Sequence, residues 1–143
     1  MDFGCGAGAI TNKLAKSVRA LEAIDISSGM ITLVQKRAEE NAIANINYRQ
    51  ISIFDEHLWE GIFDVILAFN VLHYIYDMPS LIKRINSLLK ADGVFISSTT
   101  YLKEKRSFLR SLLFALMKLG IMPRTEFYKK SDLESLITGG ILI

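Results

Sequence analysis

The chain has 143 residues, half of them apolar and 22% charged, with a net charge of +2. This is ordinary composition for one globular domain, long enough to bury roughly two-thirds of its unfolded surface. The single Cys5 excludes an internal disulfide and a cysteine-built metal cluster, so no metal site is expected. The longest apolar stretch, "SFLRSLLFALMKLGIMP", is interrupted by Arg110 and Lys118 and is too short to span a bilayer. With no charged n-region and apolar core at the start, a cytoplasmic location is expected. The charge is uneven: residues 1–100 hold 9 Lys/Arg and 11 Asp/Glu, whereas residues 101–143 hold 8 and 4. A basic tail of this kind suits an anionic substrate, a membrane surface or a solvated helix face.

Helix and strand patterns alternate along the chain. After a strand remnant at Met1–Phe3, "AITNKLAKSV" sets Ile10, Leu14 and Val18 four apart, as on one helix face. "LEAID" reads as a short buried strand. Ser27 or Ser28 can cap the next helix, in which Met30, Leu33, Val34 and Ala38 keep helical spacing. "NINYRQIS" is a strand with weaker patterning, and "FDVILAFN" is a continuous apolar run of the kind central parallel strands show. Pro79 suits a first helical turn, and Leu81, Ile82, Ile85, Leu88 and Leu89 continue that helix until Asp92-Gly93 ends it. "VFISSTT" is the next strand. The alternation predicts an α/β fold: a doubly wound, mostly parallel sheet between two helical layers, in one domain over 1–143. Beyond residue 101 the pattern becomes a basic, apolar helical segment (107–119), then "MPRTEFYKK", a short helix from Ser131, and a strand start at "GGILI".

Gly4, Gly6 and Gly8 alternate between a strand end and a helix start. There the chain must turn tightly and can offer bare backbone N–H groups to a ligand. The same stretch, with Ala9 in the last place, fits a G-x-G-x-x-G/A dinucleotide fingerprint, and a ligand-free turn has the same composition. Asp25 ends the next strand about 20 residues on, where a carboxylate can accept bonds from both ribose hydroxyls. Its local alternative is to cap the following helix. Loop and Asp25 together point to an adenosine-containing ligand.

Asp2, giving D-x-G-x-G-x-G, separates the options, because nicotinamide-binding loops usually carry an apolar residue there. "FDVILAFNVLHYIYD" and "LLKADGVFISST" follow at the expected distances. From Asp2 to about Thr99 the chain resembles class I S-adenosylmethionine-dependent methyltransferases, of the small-molecule type related to ubiquinone and menaquinone biosynthesis. That resemblance implies a Rossmann-like fold and S-adenosyl-L-methionine as cofactor. It implies that Asp2, Gly4, Cys5, Gly6 and Gly8 line the methionine part, and that Asp25 holds the ribose with Ile26 and Met30 beside the adenine. Ser52 stands where the family often has an acidic residue against the adenine amino group, followed by Ile53; Asp55 is a second candidate, less well spaced. Phe69 and Asn70 would stand beside the sulfonium and the incoming nucleophile.

Methyl transfer needs a general base only when the nucleophile is protonated at neutral pH. His73, three residues past Asn70, is the candidate, its alternative being a histidine that only packs at a helix start. His57 reads as an exposed loop residue. Tyr74, Tyr76 and Tyr101 could wall a substrate pocket, although aromatics so spaced are commonly core. "AFNVLH" lacks the Asn/Asp-Pro-Pro-aromatic signature of amino-methylating DNA and glutamine methyltransferases. A small molecule with an oxygen, carbon or sulfur nucleophile is therefore expected, and no nucleic acid. The segment 101–130 falls where this superfamily covers its substrate, which suits a lipophilic acceptor or peripheral membrane contact. The same resemblance predicts an incomplete first strand and a missing last strand, so an inactive or binding-only remnant is the alternative, and a nicotinamide oxidoreductase a more distant one.

Overall fold

The computed structural model describes residues 1–98. The expectations for Tyr101, the covering segment 101–130, the helix from Ser131 and the strand at "GGILI" lie outside the described residues.

The described residues form five strands, β1 (Asp2–Phe3), β2 (Leu21–Asp25), β3 (Ile46–Gln50), β4 (Phe63–Phe69) and β5 (Leu89–Ser98), and three α-helices, α1 (Thr11–Leu14), α2 (Ser28–Glu40) and α3 (Met78–Leu88), with no helix between β3 and β4. All pairings are parallel and the sheet order is β3-β2-β1-β4-β5. The chain winds outward from β1 to β3, then returns to the other side of β1 and winds outward to β5. Right-handed crossovers then place α1 and α2 on one face and α3 on the other. The packing follows. Phe3, Ile24, Ile66 and Ala68 join Leu81, Ile82, Ile85 and Leu88 of α3 in one core, while Ala23 joins Ile31 and Val34 of α2 in the second. Residues 23 and 24 alternate between layers because successive strand side chains point to opposite faces.

β1 has two residues and is the centre of the sheet. Asp2 and Phe3 pair with Ala23 and Ile24, and Asp2 also pairs with Leu67. The backbone nitrogen of Met1 donates to the Val65 carbonyl (2.6 Å), and Leu67 N–H donates to the Met1 carbonyl (2.9 Å).

α3 begins as expected. The Asp77 carboxylate accepts from Ser80 N–H (3.1 Å), and Pro79 occupies the first turn, where its missing N–H costs nothing. It ends earlier than expected, at Leu88. Leu89 already pairs with Phe63, and regular pairing resumes at Val65–Val94 after a shift in register. The apolar spacing ran on through Leu89 because that side chain is buried as a strand residue. α1 also differs: after one turn it tightens into a 3₁₀ turn over Ala15–Ser17, and Thr11 and Ala15 are its buried residues, not Ile10 and Val18. In α2, Ser27 is the cap, accepting from Met30 N–H (3.4 Å). Ile31, Val34 and Ala38 face inward, leaving Met30 and Leu33 partly exposed.

Candidate active site

The strand order reverses between β1 and β4, and in a parallel sheet the crevice beyond the strand C-termini at such a point is where ligands bind. Most of the candidate residues proposed from the sequence lie at or just past a strand end on that edge, with Asp2 inside β1 and Met30 in the first turn of α2. Gly4 to Gly8 follow β1, Asp25 and Ile26 end β2, Ser52 and Ile53 follow β3, and Phe69 to His73 end β4.

The glycine loop is held from three sides. The Ile24 carbonyl accepts from both Gly4 N–H (2.9 Å) and Cys5 N–H (3.1 Å). Asp25 Oδ2 accepts from Gly6 N–H (2.9 Å), and Arg37 of α2 donates to the Ala7 carbonyl (2.7 Å). Gly4, Gly6 and Gly8 all have positive φ, but their surroundings differ. A Cβ at Gly4 would lie 2.4 Å from Val71 Cγ2, and one at Gly8 would lie 2.2 Å from Val34 Cγ2. At Gly6 a Cβ would meet nothing within 4 Å. Gly4 and Gly8 therefore fit the loop against the turn after β4 and against α2, whereas Gly6 borders open space where a ligand can approach the backbone.

Asp25 does not cap α2. Its Oδ1 accepts from Ser27 N–H (2.9 Å) and its Oδ2 from Gly6 N–H, one bond per oxygen, so each oxygen keeps capacity for a hydroxyl donor. Ile26 is 76% exposed and Met30 41%, an apolar surface beside that carboxylate. Asp2 lies beneath the loop, almost fully buried, with Oδ2 accepting from the Thr11 hydroxyl (2.6 Å). Burial raises its carboxyl above the usual carboxylate range, and the Thr11 bond pulls the other way. The Cys5 side chain packs in the α2 core, and burial pushes its thiol up to about 12, so at neutral pH it is an uncharged core group. Only its backbone can face the crevice. The same holds for Ile53, whose side chain is buried in the α3 core, while Ser52 beside it is exposed. The Ser52 oxygen accepts from Phe54 N–H (3.2 Å). Asp55 is engaged elsewhere, since its Oδ1 accepts from His57 N–H (2.9 Å) and lies 2.8 Å from His57 Nδ1.

Just past β4, Asn70 adopts a left-handed conformation (φ +54°), which asparagine takes more readily than most residues other than glycine. Its N–H donates to the Ser98 carbonyl (2.7 Å), and the fully buried Leu72 anchors the turn that follows. His73 Nδ1 is buried with no hydrogen-bond partner among the described residues, and burial lowers the imidazole pKa. The ring is therefore neutral at pH 7, the form a general base needs. His57 is exposed, as the sequence predicts. Tyr74 and Tyr76 are exposed and not core, at 48% and 88%.

Thr11 was not singled out from sequence, because a threonine at a helix start carries no mark of its distant partner. For an acid whose folded pKa lies above its unfolded 3.8, the ionised form costs stability as pH rises through the folded value, and the Thr11 hydroxyl offsets part of that cost. Thr11→Val is expected to lower unfolding free energy at pH 7 by about 1–3 kcal/mol. The deficit should shrink in acid as Asp2 protonates. Urea unfolding at pH 7 and pH 4 checks this, and a deficit equal at both would contradict it.

A family model described as a methyltransferase domain matches residues 1–134. Among curated proteins, the chain is similar to a ubiquinone biosynthesis O-methyltransferase of Acinetobacter baylyi, with 30% identity over 134 residues, 91% of this chain and 55% of that protein. It is also similar to one of Actinobacillus pleuropneumoniae serotype 5b, 34% identical over 104 residues, 69% of this chain and 44% of that protein. The chain thus spans about half the length of these curated relatives. A solved putative methyltransferase from Bacillus halodurans matches with a TM-score of 0.79 at 17% identity, covering 97% of this chain and 60% of that one. A geranyl diphosphate C-methyltransferase from Streptomyces coelicolor, solved with Mg2+, geranyl diphosphate and S-adenosyl-L-homocysteine, matches at 0.77 and 17%, covering 97% and 50%. At these identities the solved structures speak for the fold. With the family model covering most of its length and the strand-end residues arranged around the switch point, this chain belongs to the methyltransferase-domain family and has the Rossmann-like fold of the class I S-adenosylmethionine-dependent methyltransferases.

Proposed function

We propose that this chain transfers a methyl group from S-adenosylmethionine to a small-molecule acceptor. The observation that carries the reading is the pairing of Gly6, open to the crevice at positive φ, with the Asp25 carboxylate that holds its N–H. The residues fit the cofactor. An amino-acid chain has room over Gly6, ribose hydroxyls meet an acceptor carboxylate with spare capacity, and an adenine has Ile26 and Met30 to lie against. When bound, the cofactor supplies an electrophilic methyl on a sulfonium.

What the chain supplies is placement and a dry site, which for an in-line displacement is most of what catalysis requires. In this reading Asp2, Gly4, Cys5 and Gly8 shape the loop, with Cys5 contributing backbone only. Ser52 and the Ile53 backbone meet the adenine edge. Phe69 and Asn70 border the reacting centre, and His73 takes the proton of a hydroxyl acceptor. The O-methyltransferase names of the curated relatives favour an oxygen nucleophile. The apolar, basic segment 107–119 favours an acceptor with a lipophilic portion, and leaves peripheral membrane contact open to test. Among the described residues, no helix is long and apolar enough to cross a membrane.

The test is release of S-adenosylhomocysteine from S-adenosylmethionine, with catechol as the hydroxyl probe. Burial puts the folded His73 pKa below 6.5, so protonation in acid removes the base. The rate should fall on the acid side with an apparent pKa below that value. His73→Ala should lower turnover about 100-fold or more, abolish that acid limb, and leave S-adenosylhomocysteine affinity within about twofold. An unchanged acid limb in the variant would assign the proton transfer elsewhere.

A further inference from the structure

We infer that Arg84, on α3, is a positioning residue for the adenine edge of the cofactor site, acting through the loop that carries Ser52 and Ile53. The inference rests on the cofactor reading given above.

Residues 51–62 join β3 to β4 without regular structure, and their carbonyls converge on one guanidinium. Arg84 Nε donates to the Ile53 carbonyl (3.1 Å), and Nη2 donates to the carbonyls of Asp55 (2.8 Å) and Leu58 (3.0 Å). Nη1 donates to Glu60 Oε1 (3.1 Å) and Ser87 Oγ (3.4 Å). An arginine has five N–H donors in a rigid fork, and here each has an acceptor. The Arg84 side chain is only 16% exposed, so it is a partly buried brace and not a freely solvated surface charge.

The link to the site is one peptide plane. The Ile53 carbonyl and the Phe54 N–H belong to the same planar unit, so fixing one end fixes the other. Arg84 holds the carbonyl end, and the N–H end donates to Ser52 Oγ (3.2 Å). Arg84 thereby sets where the Ser52 hydroxyl stands. A serine offers a weaker hydrogen bond to an adenine amino group than a carboxylate does, so it depends more on being held in place. Lysine at position 84 would keep the charge opposite Glu60, but three donors on one atom cannot reach three separated carbonyls.

The test is a double-mutant cycle on S-adenosylhomocysteine affinity, read by calorimetry. Ser52→Ala alone should weaken binding about 3- to 10-fold, the range for one hydrogen bond. In an Arg84→Lys background the same substitution should change affinity by less than about twofold, because Ser52 is no longer held on the adenine. Effects that multiply, or a Ser52→Ala protein that binds like wild type, overturn the inference while leaving the cofactor reading intact. Wild-type protein that fails to bind overturns both. Should Arg84→Lys not fold, the wild type still decides. The NMR signal of Arg84 Nε–H should shift with that of the Phe54 amide as S-adenosylhomocysteine is added, and an Nε–H signal unmoved at saturation overturns the inference.

Discussion

Gly8→Ala is expected to cost the domain about 2–5 kcal/mol of stability, whereas Gly6→Ala costs less and weakens cofactor binding about 10-fold or more. Both positions have positive φ, at +77° and +51°, so each alanine incurs a left-handed penalty of roughly 1–2 kcal/mol. At Gly8 the new methyl would also lie 2.2 Å from Cγ2 of Val34, a fully buried residue on the inner face of α2. Overpacking of that kind adds about 1–3 kcal/mol, and the sum is a large part of the roughly 5–15 kcal/mol that holds a domain together. At Gly6 the methyl points into open space and meets no protein atom within 4 Å. Its cost to the fold is the conformational part alone. Its cost to binding is the loss of the space over the loop, so affinity for S-adenosylhomocysteine should fall about 10-fold or more. Urea unfolding and calorimetry on the two proteins separate these effects. Wild-type affinity in Gly6→Ala would move the ligand away from the loop.

Asp25→Ala carries the second large effect. The carboxylate links two elements of the site, accepting from Gly6 N–H in the loop and from Ser27 N–H at the start of α2. Ribose hydroxyls would add charge-assisted bonds to the same two oxygens, and losing that pair should weaken cofactor binding about 10-fold or more. Asp25→Asn discriminates further. It keeps one acceptor for the backbone and removes the charge, so it should restore part of the stability lost in Asp25→Ala but little of the affinity. Equal affinity in wild type and Asp25→Ala would remove the ribose from this carboxylate.

The strand ends were legible because glycine, aspartate and the apolar runs each announce themselves locally. "LEAID" stops on the acid that holds the loop, and "FDVILAFN" stops on the residue with the left-handed backbone. Thr11 and Arg84 were not legible for a common reason. The Thr11 partner is nine residues back, and the carbonyls that Arg84 braces are 26 to 31 residues back, so periodicity assigns both to helix faces and nothing more. Side-chain direction was hidden as well. Cys5 and Ile53 lie in the loops just past β1 and β3, where the chain turns their side chains into the cores, which the motif does not announce. Tyr74 and Tyr76, with the spacing of core aromatics, fall on the turn after β4 and face outward.

The central claim, that this glycine loop and Asp25 hold an S-adenosyl ligand, is tested most directly by calorimetric titration of the 143-residue chain with S-adenosylhomocysteine, using NAD as the control. Binding in the micromolar range with no heat from NAD is the predicted result. A folded chain that binds neither, or that prefers NAD, would contradict it.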